Sequence, residues 1–152
     1  MKIGSEPVPG DPPLRYFDAS ALVKRYVAEP GSERVRSLLI DGIVATSRFS
    51  EVEVASALTR RCREGSFSAD ERDRALGALR RDISTLFVVE LSSEVVARGV
   101  ALLTRTSLRA ADAVQLASCI ELRNRLQVAC VFVCADALLS AAARKEGLLT
   151  AL

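Results

Sequence analysis

The sequence contains no histidine. That absence excludes Ser-His-Asp and Cys-His triads, histidine acid–base pairs and histidine-containing zinc sites within one chain. Carboxylates, Lys, Tyr, Ser, Thr and Cys are left as groups for chemistry. The four cysteines, Cys62, Cys119, Cys130 and Cys134, include no Cys-x-x-Cys pair and lie mostly in apolar segments. They read as small buried hydrophobes, not as a disulfide framework or a zinc site. No apolar run approaches the roughly 20 residues of a membrane-spanning helix, and the N-terminus lacks the apolar core of a secretory signal. A soluble, cytoplasmic protein is expected. Net charge is only +2, which does not by itself predict nucleic-acid binding.

What is present is a chain of one-domain length, 152 residues, about half of them apolar. Residues 1–13 hold four prolines, two glycines and three charges without an apolar period and read as a flexible leader. The domain is expected over 14–152. Leu14 to Phe17 reads as a strand ending at Asp18, with Ser20 as the N-cap of a helix over Ala21 to Val27. Further helices are expected over Ser32 to Ile40, Arg48 to Arg63, a capping-box start at Ser68 to Ile83, Ser93 to Thr104, Arg109 to Leu126, and Asp136 to Lys145. Strands are expected at Ile43 to Thr46, Leu86 to Val89 and Val128 to Cys134, with a short last one in Leu148 to Leu152. There is no internal repeat. Strands alternating with helices, and apolar on both faces, imply an α/β fold: a parallel sheet of four to five strands flanked by helices.

Four acids stand out. Asp18 and Asp136 each follow a predicted strand, where open α/β sheets place their sites. Asp112 shares a helix face with Leu116 and Cys119, and Glu53 lies on another largely apolar helix. Each also has an ordinary reading: strand-end acids cap helices, Asp112 favours a helix dipole, and Ser50-x-x-Glu53 fits a capping box. Periodicity alone does not choose between Glu51 and Glu53. Carboxylates brought together repel by ~4 kcal/mol for a pair about 4 Å apart at an effective dielectric near 20. A divalent cation relieves that repulsion, and all-oxygen ligation selects Mg²⁺ or Mn²⁺. Metal-assisted phosphodiester hydrolysis is chemistry that such a site performs without histidine. Arginine and lysine residues near the acids, among them Lys24, Arg25, Arg48, Arg105 and Arg109, make either a basic rim or an ordinary solvated surface.

Four stretches carry a resemblance: Tyr16 to Lys24, Thr46 to Val54, Leu108 to Ala117, and Val133 to Asp136. In this order and spacing the chain resembles a PIN-domain ribonuclease, especially the VapC-like toxins of toxin–antitoxin modules. The resemblance places the family's acids on Asp18, Glu53, Asp112 and Asp136, and it selects Glu53 over Glu51. It implies a three-layer PIN-like fold, Mg²⁺- or Mn²⁺-dependent endoribonuclease activity, a homodimer and a cognate antitoxin. Ser20 matches a hydroxyl position that orients a carboxylate or bound water. Lys24, Arg48 and Arg109 are the cations expected nearest an RNA backbone. The chain departs from the pattern at Cys134, where many relatives carry Thr or Ser. Two other readings compete. One is a non-catalytic PIN-fold module that binds RNA or a protein, against which all four acid positions are filled. The other is a phosphoacceptor receiver domain, whose paired acids near the first strand and lysine after a late strand are missing here.

Overall fold

The strand that opens the fold, β1 (Leu14–Phe17), sends alternate side chains to opposite faces, as the two-residue period of a strand requires. Tyr16 enters one apolar layer and Phe17 the other, both fully buried. The computed structural model describes Gly10 and residues 12–152. The leader expected over residues 1–13 lies outside the described residues, apart from Gly10, Pro12 and Pro13.

Four more strands join β1 in one sheet: β2 (Ile43–Ser47), β3 (Phe87–Val89), β4 (Cys130–Val133) and β5 (Leu149–Ala151). Their order is β3-β2-β1-β4-β5 and every pairing is parallel. Leu14 sits opposite both Ile43 and Cys130. The expected strand Val128 to Cys134 is shorter than its apolar run, because only Cys130–Val133 pairs with β1, and of these Val131–Val133 also pair with β5. Entry into β2 depends on Gly42, whose φ is +98°. A Cβ at Gly42 would stand 2.2 Å from the Pro13 carbonyl oxygen, which accepts the Ile43 N–H at 2.9 Å. Only glycine fits so close an approach at that φ.

Helices cover both faces. On one side lie α1 (Ala19–Leu22), α2 (Ser32–Ile40), α3 (Phe49–Arg63) and α4 (Ala69–Ile83). On the other lie α5 (Ser93–Leu103), α6 (Ala110–Leu126) and α7 (Ala137–Lys145). The Ser68–Glu71 capping box forms as expected. Ser20 does not cap a helix. Asp18 does, accepting the Ala21 N–H at 2.9 Å, and the expected helix to Val27 breaks into α1 and a 3-10 turn over Val23–Arg25. Helix α6 is the most deeply enclosed, with Ala113, Gln115 to Ile120 and Leu122 all buried. Burying one large apolar side chain such as Leu116 contributes ~2 kcal/mol.

Among the described residues, no helix is long and apolar enough to cross a membrane. The chain moves outward from β1 to β2 and β3, then crosses back to place β4 on β1's other side. The carboxyl ends of β1 and β4 are therefore a topological switch point, where α/β sheets open a crevice.

Candidate active site

Asp18 follows β1 directly, and its N–H donates to the Val133 carbonyl of β4 at 3.1 Å. Its side chain is 3% exposed. The Ser20 hydroxyl lies 2.8 and 2.9 Å from the two Asp18 oxygens and donates to that carboxylate, while accepting the Ala135 N–H at 3.1 Å. The Cys134 thiol, 3.4 Å from Asp18 Oδ2, is a further donor, and it accepts the Asp136 N–H at 3.3 Å. Ser20 and Cys134 thus tie the ends of β1 and β4 together around one carboxylate. Burial pushes Asp18 up to about 6; the Ala21 N–H, Ser20 and Cys134 hold it down, and the charge of Asp112 adds to the rise.

Glu53 and Asp112 complete the inner acids. Glu53 is half-buried on α3 and accepts from Gln115 Nε2 at 2.5 Å. Burial raises its pKa, Gln115 opposes the rise, and the charges of Asp18 and Asp112 add to it. Asp112, in the first turn of α6, is raised by burial and then by Asp136, with Arg109 opposing. Asp136 is exposed and caps α7, accepting the Leu139 N–H at 2.8 Å. The charges of Asp18, Glu53 and Asp112 thus bear on one another, and that of Asp136 on Asp112. Glu51, which periodicity did not separate from Glu53, points elsewhere: it pairs with Arg48 at 2.8 Å.

A buried polar network stands behind the acids. Gln115 is 1% exposed. Its Nε2 also donates to Ser50 Oγ at 2.9 Å, and its Oε1 accepts the Tyr16 hydroxyl at 2.7 Å. Ser50 Oγ lies 2.8 Å from Thr46 Oγ1, which donates to the Phe17 carbonyl at 2.7 Å. The capping-box reading of Ser50 and Glu53 is therefore replaced: Ser50 is inside the helix and serves this network. Gln115 was not singled out from sequence. The available signal was an amide three residues after Asp112 in a run of small apolar residues, a group that needs partners once buried.

The expected cations divide. Lys24 lines a groove beside Glu53 but is held by Glu29 at 3.1 Å and by the Pro30 carbonyl at 2.7 Å. Arg109 lines a different groove, with Asp112 and Asp136. Arg48 lines neither groove; Glu51 and Glu90 claim its guanidinium. Arg25 pairs with Asp82 across the fold.

The donor set is chemically suited to a hard divalent cation. It is all-oxygen, acidic, and contains carboxyls whose ionised forms are disfavoured by burial and by each other, a disadvantage that a cation reverses. The arrangement is open, however. Among the described residues, no three His, Cys, Asp or Glu side chains already stand where they could hold a metal ion.

Comparison with known proteins places this geometry. The model of the PIN domain family matches residues 15–126. Ribonuclease VapC45 of Mycobacterium tuberculosis is 38% identical over 112 residues, covering 70% of this chain and 74% of that protein. The crystal structure of M. tuberculosis VapC20, described as a Sarcin-Ricin loop cleaving toxin, superposes with a TM-score of 0.64 at 18% identity, covering 84% of this chain and 94% of VapC20. A toxin-antitoxin complex from Klebsiella pneumoniae contains a chain matching at TM-score 0.54 and 17% identity, covering 77% of this chain and 83% of that one. With its sheet order, its acid cluster at the switch point and these relatives, the chain belongs to the PIN-domain family and is VapC-like.

Proposed function

We propose that this protein is a metal-dependent endoribonuclease that hydrolyses RNA phosphodiester bonds and serves as the toxin of a toxin–antitoxin pair. The observation that carries the reading is that Asp18 and Asp136 stand just beyond the adjacent strands β1 and β4, with Asp112 and Asp136 lining one groove there and Glu53 and Asp136 the other. The relatives' names, ribonuclease and toxin, give that acid cluster its chemical direction. Asp18, Glu53 and Asp112 are the residues to hold Mg²⁺ or Mn²⁺, directly or through water, with Asp136 completing the set. Such an ion, when bound, activates water and offsets the charge that develops on the scissile phosphate.

The chain's own part is positioning. Gln115 holds Glu53 in one rotamer, Ser20 and Cys134 orient Asp18, and the α7 cap fixes Asp136. An antitoxin partner is supported by the likeness to a chain of a toxin-antitoxin complex. The homodimer and a cytoplasmic location belong to the same proposal. The alternative is a PIN-fold module that binds RNA or protein without cutting.

The deciding experiment incubates purified protein with a mixed RNA pool in Mg²⁺ or Mn²⁺, in EDTA, and as the Asp112→Asn variant. Cleavage that needs the cation and disappears in the variant is expected. Cleavage undiminished by EDTA or by Asp112→Asn overturns the site assignment. RNA binding without cleavage by folded, metal-loaded protein selects the module.

A further inference from the structure

Two open grooves flank the acids and meet at Asp136, which lines both. The first, about 490 Å³, runs from the 105–109 loop and the start of α6 to α7. The second, about 630 Å³, lies between the α1 region and α3. Each has three cations in its wall: Arg105, Arg109 and Lys145 in the first, Lys24, Arg60 and Arg61 in the second.

The two sets differ in how far they are already committed. In the second groove Glu29 takes two of the three, accepting from Lys24 at 3.1 Å and from Arg61. With Glu53 and Asp136 also in that wall, its formal charges cancel. In the first groove Asp112 and Asp136 lie in the wall and Glu146, outside it, opposes Arg105, so the formal charges balance there too; the difference is that two of its cations are uncommitted, against Arg60 alone in the second. Arg105 pairs with Glu146 at 2.9 Å. Arg109 and Lys145 are exposed and, among the described residues, have no ion pair.

A cluster of acids repels a polyanion, so a strand laid across it needs positive charge at its flanks, and a cation at the acids serves only the phosphate it touches. We propose that the first groove is a phosphate subsite for single-stranded RNA, in which Arg109 and Lys145 hold the backbone phosphate adjacent to the one at the acids. This rests on the ribonuclease reading. It also gives the substrate a direction: the strand is anchored on the α7 side of the acids by two uncommitted cations, where the second groove offers Arg60 alone.

The test measures binding of a labelled single-stranded oligoribonucleotide by fluorescence anisotropy, in EDTA so that binding is read apart from metal-dependent cutting, over a range of salt. Lys145→Ala and Arg109→Ala are compared with wild type and with Arg36→Ala, an exposed arginine on α2 that lines neither groove. Each groove variant is expected to flatten the slope of log Kd against log salt by about 0.7, the value for one phosphate contact on a single strand; Arg36→Ala leaves it unchanged. Wild-type slopes in both groove variants, or an equal loss in Arg36→Ala, overturn the subsite. RNA cut in Mg²⁺ or Mn²⁺ with unmoved slopes removes the subsite alone. Flattened slopes without cutting remove the ribonuclease reading and leave the subsite standing.

Discussion

Gln115 on α6 donates to Glu53 on α3 across a distance of 2.5 Å, and through this one bond the most buried helix of the fold sets the position of an acid in the cleft. The same amide satisfies Ser50 and Tyr16, so all its hydrogen-bonding groups are engaged. Replacing it with leucine leaves the buried Tyr16 and Ser50 hydroxyls and the half-buried Glu53 short of a partner. Gln115→Leu is expected to lower stability by about 2 kcal/mol, the range for orphaned buried polar groups, and to reduce cleavage. A denaturant midpoint equal to wild type contradicts the network's role.

Asp18 yields a pH prediction. Burial pushes it up to about 6 from an ordinary 3.8. A carboxyl whose folded value lies above its unfolded one binds its proton more tightly in the folded chain. Its contribution to stability is therefore full below about pH 4 and is lost as pH rises through 6. A rise of this size corresponds to about 3 kcal/mol at neutral pH. In EDTA, Asp18→Asn keeps an acceptor for the Ala21 N–H but cannot ionise, so its advantage over wild type should grow between pH 4 and 7. Mg²⁺ should narrow that gap by favouring the ionised wild-type site. Parallel pH–stability curves for the two proteins refute this account.

At Asp136 two roles are separable. The side chain accepts the Leu139 N–H at 2.8 Å and so caps α7. Asp136→Ala should cost about 1 kcal/mol, the usual loss of a helix cap, whereas Asp136→Asn should melt near wild type. If the carboxylate's charge serves the chemistry, both variants lose cleavage. Retained cleavage in Asp136→Asn reduces the residue to its structural part.

The thiols report on whether the cleft stays closed. Cys119, Cys130 and Cys134 are buried and Cys62 is half-buried. Burial also pushes the Cys134 thiol up to about 12. Only the thiolate reacts readily, so native protein titrated with a thiol reagent should show one fast group, Cys62, and four after denaturation. A second fast group assigned to Cys134 means the acid cleft opens. Cys134→Ser keeps a donor to Asp18 and an acceptor for the Asp136 N–H, and should cut RNA as wild type does. Cys134→Val provides neither and should cut less.

Much of this was legible from the chain itself. The alternation of short apolar runs with helical periods located all five strands and the long helices, because both signals are written in neighbouring residues. Asp18 and Asp136 were legible as strand-end acids, and Ser68 with Glu71 as a capping box, since each signal spans a few positions. Ser20 is not the cap because the helix starts two residues earlier, at Asp18, which places Ser20 inside the first turn, where its hydroxyl donates to the Asp18 carboxylate. Which of the two begins the helix is set by the backbone, extended at Asp18 with ψ 171°.

Charge partners and the polar interior belong to the tertiary structure alone. Arg48 has a local partner, Glu51 three residues on, but its second, Glu90, and the place of Arg109 in the acid cleft depend on what folding brings near. The same holds for Glu53 over Glu51 as the inward acid, where the sequence needed a family resemblance and the fold supplies Gln115, 62 positions away. Sequence by itself determined the elements and the inventory of acids, because backbone hydrogen bonding and amphipathic period are local. Only the tertiary structure decided which side chains meet, because that depends on the sheet order β3-β2-β1-β4-β5, which sets β1 beside β4 and gathers residues 18, 53, 112 and 136 at one edge.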